Sequence, residues 1–176
     1  MRRIILFAAA LVAASPASAE VVSSGSNGFH IRHSVQLVIP TQNAFASFTR
    51  VGRWWNDDHT YSGAATNMSL AASPGGCFCE RLPGGGGIEH MRVSFVKPGE
   101  RLVLTGALGP LLFEATAGVM DVQVERIAGG SRITMDYKAA GFATGGAERM
   151  APLVDSVLAE QMGRYRAYAA AQSRSR

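Results

Sequence analysis

The chain has 176 residues, 47% of them apolar and 17% charged, with a formal net charge of +4 and two cysteines. Two of the 17 basic residues, Arg2 and Arg3, sit in a leader that carries none of the 13 acidic ones. The remainder of the chain is close to neutral, which removes the main argument for nucleic-acid binding, and is long enough for one domain with a sizeable core.

In MRRIILFAAALVAASPASAE, Arg2 and Arg3 precede an apolar run from Ile4 to Ala14 and a small-residue exit at Ala17-Ser18-Ala19. This is the three-part pattern of a secretory signal peptide over residues 1–19, with cleavage expected after Ala19. The apolar run is well short of the roughly 20 residues that span a bilayer, and no cysteine stands at the exit to take a lipid. The expectation is a periplasmic or secreted protein with no stable membrane anchor after cleavage.

Residues 20–28, EVVSSGSNG, lack periodicity and read as a flexible leader. From Phe29, alternation places Ile31, His33, Val35, Leu37 and Ile39 on one face and His30, Arg32, Ser34 and Gln36 on the other, the pattern of a half-buried strand that Pro40 ends. Thr41 is an expected N-cap for TQNAFASF, with Ala44, Phe45 and Phe48 at helical spacing, and short helical structure continues through Val51 to Trp54 and Trp55. After the turn-rich DDHTYSGAATN come MSLAA, CFCERL, IEHMRVSFV, RLVLTGAL, FEATAGVMDVQVERI and SRITMDYKAA, parted by PGG, PGGGG, KPGE, GP and AGG. These breaks are turns between antiparallel strands. Met150, Leu153, Val154, Val157, Leu158, Met162 and Tyr165 then recur at three and four residues in one long amphipathic helix, with Pro152 near its start. Arg164, Arg166, Arg174 and Arg176 form a basic cluster at its end, read as a solvated helix terminus.

The expected fold class is therefore α+β: a curved antiparallel sheet of about six to seven strands wrapped on the long C-terminal helix, with short helices after the first strand. One domain spans residues 29–171, and 172–176 form a disordered basic tail. A sheet gripping a helix leaves a hollow between them, which is a default small-molecule site.

The element order, the stretch GRWWNDDHTYSG, the turn GALGPL and the final VDSVLAEQMGRYRAY together resemble the START-like or SRPBCC superfamily over about residues 29–170. Within it the chain looks most like the polyketide cyclase/lipid-transport and heat-shock ATPase activator homologue group. The resemblance implies a helix-grip fold with an internal cavity for hydrophobic or amphipathic ligands. It implies no reaction, because members include carriers, cyclases, hydrolase-like enzymes and regulators. A secretory signal departs from the usual cytosolic members and argues against an intracellular chaperone partner.

Cys77 and Cys79 share one face of a strand with Arg81, while Phe78, Glu80 and Leu82 share the other. In regular extended geometry the cysteine Cα atoms lie about 6.6 Å apart, within reach of a disulfide but above its common range. The alternatives are a disulfide, two small wall residues, or a metal clip completed by His59 and His90. Neither histidine stands at a diagnostic spacing, so no metal is expected.

Four side chains are candidates for chemistry. His59 suits a general base oriented by Asp57 or Asp58, Tyr61 a donor to a carbonyl, and His90 joins them from the next strand. Glu80 faces inward if Phe78 and Leu82 do, and a carboxylate in the hollow would titrate abnormally; Glu114 is a weaker case of the same kind. Ligand contact is expected from Trp54, Trp55, Tyr61, Phe78, Glu80, Val157 and Met162. Ser-x-x-Lys and G-x-S-x-G patterns are absent, and PGGGG lacks the following Lys-Ser/Thr of a phosphate loop, so no cofactor is expected. The first reading is an exported carrier of a small hydrophobic or amphipathic molecule, and the second is a cyclase- or hydrolase-type enzyme using the same cavity.

Overall fold

The computed structural model describes residues 18–174, with side chains over 20–172; residues 1–17 of the expected signal peptide lie outside them. Eight strands form one antiparallel sheet: β1 (Ser18–Gly25), β2 (Gly28–Leu37), β3 (Met68–Leu70), β4 (Cys77–Arg81), β5 (Gly87–Lys97), β6 (Arg101–Gly106), β7 (Ala115–Ile127) and β8 (Gly130–Phe142). Their order across the sheet is β1-β2-β8-β7-β6-β5-β4-β3. Helix α1 (Thr41–Phe48) and single-turn helices at Val51–Arg53, Asp57–His59 and Ala65–Asn67 lie between β2 and β3. Another short helix, Gly109–Phe113, joins β6 to β7, and α2 (Ala147–Arg174) closes the chain.

The sheet is wrapped on α2. Phe29, Ile31, Val35 and Leu37 of β2 turn their alternating apolar face to the core, with Ile133, Met135 and Tyr137 of β8 beside them. From α2, Leu158, Met162 and Tyr165 are fully buried in the same core, each aliphatic side chain of this kind contributing about 1.5–3 kcal/mol by leaving water. The Tyr165 ring packs edge-on against Phe48 and Trp54, and its hydroxyl donates to the Ala44 carbonyl at 2.9 Å, tying α1 to α2.

Four local expectations are corrected. Within the expected flexible leader 20–28, residues 20–25 belong to an edge strand: β1 pairs antiparallel with β2 from Ser18↔Ser34 to Gly25↔Gly28, and backbone pairing holds a polar strand that shows no apolar period. Residues 172–174 of the expected tail belong to α2, and 175–176 lie outside the described residues. Pro40 occupies the N-cap of α1 with no side-chain cap bond, and Thr41 is the first helical residue. Pro152 lies inside α2, because the helix starts at Ala147; beyond the first turn the missing N–H removes an intrahelical bond.

The cysteines are paired with each other, with Cα atoms 5.3 Å apart. That is closer than the spacing of regular extended geometry, so the backbone is contracted between the two cysteines. Both cysteines are half-buried on the face opposite Phe78 and Glu80, so they do not line the hollow. Neither histidine approaches them: among the described residues, the third group near the sulfurs is the exposed Glu89 carboxylate.

Candidate functional site

A hollow of about 320 Å³ opens between α2 and the β3–β5 end of the sheet. Its buried floor includes Trp55, Met68, His90, Leu108 and Leu158. Tyr61, Pro110 and Leu153, the last 63% exposed, stand at its rim. Beyond Tyr61, the Phe113 ring lies edge-on at 6.0 Å and is 75% exposed, so the mouth is apolar on that side.

Two local structures shape this space. The loop that carries Trp54–Tyr61 is stitched to α2 by three helix residues: Gln161 Oε1 accepts the Asn56 N–H at 2.9 Å, Glu160 Oε1 accepts from Asn56 Nδ2 at 2.6 Å, and Arg164 Nε donates to the Trp54 carbonyl at 3.0 Å. Arg164, although exposed, is thus a loop anchor as well as a surface charge. On the other wall, the Leu108 N–H donates to the Tyr137 hydroxyl at 3.2 Å. Gly109, the first residue of the short helix, takes φ +60°, a left-handed conformation that favours glycine, and Pro110 follows in its first turn. The motif GALGPL therefore builds a wall of the hollow.

The polar feature of the floor comes from a bulge. Phe78 pairs with Met91 and Cys79 with Glu89, which leaves His90 as the extra residue on β5. His90 and Met91 are consequently both buried, 3% and 1% exposed, where strict alternation would separate them. Behind His90 lies Glu80, 1% exposed. Its Oε2 meets His90 Nε2 at 3.1 Å, and its Oε1 accepts the Ser62 N–H at 2.5 Å. Burial raises the Glu80 carboxyl's pKa, but hydrogen bonds from Ser62, from the Tyr61 N–H and from His90 outweigh it and hold the group below its usual range. Burial lowers the His90 pKa, and the Glu80 carboxylate only partly offsets that.

At neutral pH the pair is a carboxylate and a neutral imidazole. A carboxylate only accepts, so His90 Nε2 carries the proton and Nδ1 holds a bare lone pair. That Nδ1 is buried and has no partner in the protein. The Tyr61 ring stacks on the imidazole at 6.0 Å and 25°, and Phe78 packs behind it at 5.3 Å.

The structure divides the candidates. Trp55, His59, Tyr61, His90 and Val157 line the hollow; Glu80 does not line it and stands behind His90. Trp54, whose indole donates to the Phe48 carbonyl at 3.1 Å, and Met162 are core residues outside it, and Phe78 stands behind Trp55 and His90. His59 is not oriented by Asp57 or Asp58: Asp57 Oδ1 accepts the Ala65 N–H, and His59 Nε2 meets Glu160 Oε2 at 3.2 Å near the surface. Glu114 accepts from the Thr144 N–H and hydroxyl, away from the hollow. Met68 and Leu108 line the site without any patterning that marks them, although Leu108 belongs to a motif conspicuous in sequence.

No family model matches the chain, and no curated protein matches it. Solved structures do. An uncharacterized protein of Rhizobium leguminosarum superposes with a TM-score of 0.55 at 17% identity, over 88% of this chain and 98% of that one. A Rhodobacter sphaeroides protein gives 0.55 at 15% identity, over 90% and 99%. DynU16, from the dynemicin biosynthetic locus, gives 0.55 at 17% identity, over 79% of this chain and 46% of its own. At these identities the likeness is one of fold alone: an antiparallel sheet wrapped on a long C-terminal helix, the helix-grip architecture.

Proposed function

We propose that this protein binds one small hydrophobic or amphipathic molecule in the hollow between sheet and α2, and does so after export as a periplasmic or secreted carrier. The observation that carries the reading is the hollow itself. Its floor is apolar apart from one histidine edge, and its volume of about 320 Å³ falls at the small end of the range for small-molecule sites. That size suits a compact molecule of one or two rings better than a lipid with two long chains. Among the described residues no helix is long and apolar enough to cross a membrane, which is compatible with a carrier that meets its ligand in solution. The export part of the proposal rests on the leader pattern alone.

Titration with an environment-sensitive apolar dye tests the binding reading, and native mass spectrometry with organic extraction of protein purified from the periplasm tests for a natural occupant. Saturable binding near one dye per chain is the expected result. A wild-type protein that binds no apolar probe overturns it.

One observation favours an enzyme acting in the same cavity: His90 of the floor is backed by Glu80 at 3.1 Å. Their chemistry suits general acid–base work of the cyclase kind better than covalent hydrolysis. The Thr60 hydroxyl, the aliphatic alcohol among the lining residues, already donates to the Asp57 carbonyl at 2.7 Å, and the cysteines stand on the opposite face.

A further inference from the structure

We infer that the Glu80–His90 pair makes the hollow selective for a molecule with an apolar, ring-sized body that presents one acidic hydroxyl, phenolic or enolic, to His90 Nδ1. The inference rests on the proposed binding function and names the ligand class for that site.

The starting point is a deficit. A buried acceptor without a partner costs about 1–3 kcal/mol, and His90 Nδ1 is such an atom in a residue that walls the hollow. Its counterpart Nε2 is committed to Glu80, which does not line the hollow. Burial and partnership together fix the tautomer, so the imidazole edge away from Glu80 carries a lone pair and no proton. A ligand that donates there removes the deficit; one that only accepts leaves it and adds a second unmatched group. The neighbours select a flat body: Trp55 and the Tyr61 ring stacked on His90 are aromatic, and Met68, Leu108 and Pro110 complete an apolar wall. Among donors, a phenol or enol gives a stronger hydrogen bond than an aliphatic alcohol because its proton is more acidic.

If the proton moves, the ligand O–H bond breaks, an N–H bond forms at Nδ1, and the electron pair stays on the ligand oxygen. The resulting imidazolium faces the Glu80 carboxylate through Nε2. The total charge of ligand, His90 and Glu80 is unchanged, so the step requires no counter-ion.

Glu80 also makes the selectivity reversible by a single substitution. Its Oε1 is held by the Ser62 N–H. In a Glu80→Gln variant the amide oxygen is required at that donor, and the amide NH2 is turned toward His90. The imidazole must then accept at Nε2 and carry its proton on Nδ1, which becomes a donor. The preferred ligand changes from hydroxyl to carbonyl.

The experiment compares α-naphthol, a donor, with α-tetralone, a two-ring acceptor of similar size, by titration calorimetry on the folded full-domain protein. The wild type is expected to prefer α-naphthol by about tenfold or more, the equivalent of one buried hydrogen bond. His90→Phe should bind both within about twofold, because the ring shape remains and the lone pair is gone. Glu80→Gln should reverse the order. Wild type that binds both probes equally overturns the inference while leaving the cavity reading intact; failure to bind either overturns both. The wild-type comparison decides the matter even if a variant does not fold, and a folded Glu80→Gln protein that keeps the naphthol preference contradicts the assigned tautomer.

Discussion

His33 Nε2, on β2, lies 2.9 Å from Asp155 Oδ1 on α2, so a buried imidazole of the sheet faces a half-buried carboxylate of the helix it grips. The approach is close but poorly aligned: neither atom has a hydrogen bond of good geometry. Burial lowers the His33 pKa below its ordinary 6.5, and Asp155 only partly offsets the shift. His90 is lowered for the same reason.

These two histidines give stability a definite pH dependence. Below pH 6.5 the unfolded chain protonates both histidines while the folded chain resists until its own lower pKa values are reached. The unfolded state therefore binds more protons in that window, and stability falls as pH falls through it. Glu80 and Asp136, both held below their ordinary values of 4.5 and 3.8, contribute stability that is present above those values and lost only at still lower pH. Thermal melts at about pH 7.5 and about pH 5.5 should show the lower midpoint at the acid end, and His33→Gln should shrink the difference. An equal or higher midpoint at the acid end contradicts this account.

Arg164 should matter to stability far more than Arg166, two residues away on the same helix. Its guanidinium serves the Trp54 carbonyl at 3.0 Å and reaches the Trp55 carbonyl at 3.5 Å, and Trp54 is buried. Arg164→Ala should cost about 1–3 kcal/mol by stripping the Trp54 carbonyl of its side-chain donor, whereas Arg166→Ala, at a position that is also exposed but does not serve that carbonyl, should stay within about 0.5 kcal/mol. Urea unfolding of the two variants makes the comparison, and similar losses for both would return Arg164 to the role of a solvated charge.

The disulfide should contribute little to the fold. Cys77 and Cys79 are two positions apart, so the closed loop is very short and the entropy it removes from the unfolded chain is worth at most about 2 kcal/mol. Intact mass should show protein produced in an oxidising compartment to be two hydrogens lighter than the fully reduced chain. A phosphine reductant should then lower the melting midpoint by only a few degrees. Complete unfolding on reduction would mean that the outer face of β4 depends on the link.

The parts of this architecture legible in sequence are those in which a side-chain pattern and the backbone agree. Residues Phe29–Leu37 alternate, and β2 forms there; Met150–Tyr165 recur at helical spacing, and α2 buries Leu158, Met162 and Tyr165 of that stripe while Leu153 stays at the exposed rim. Glu80 faces inward because Phe78 does. Illegible parts are those decided by pairing. EVVSSG carries no apolar period, yet β2 offers it a free edge. The inward turn of His90 depends on one extra residue in β5, which alternation cannot reveal. Likewise, the partner of His59 is Glu160, 101 residues away, a distance that only the closed fold spans.

Val157 and Met162 separate ligand contact from core packing on one helix. Val157 is half-buried and lines the hollow with Val154 and Leu158, while Met162 is 2% exposed in the core beyond it. Val157→Trp should fill the space that a ligand needs. The new indole enters a cavity rather than a packed interior, so its folding cost should not exceed the roughly 1–3 kcal/mol of overpacking, while affinity for α-naphthol drops tenfold or more. Met162→Ala should do the reverse, costing about 2–5 kcal/mol through the void it leaves with naphthol affinity within about threefold of wild type, since the chain unfolds more readily but the folded hollow is unchanged. Calorimetric titration paired with urea unfolding reads both effects. If Val157→Trp binds naphthol as the wild type does, the ligand sits elsewhere, and the apolar rim formed by Tyr61, Phe113 and Leu153 becomes the surface to probe next.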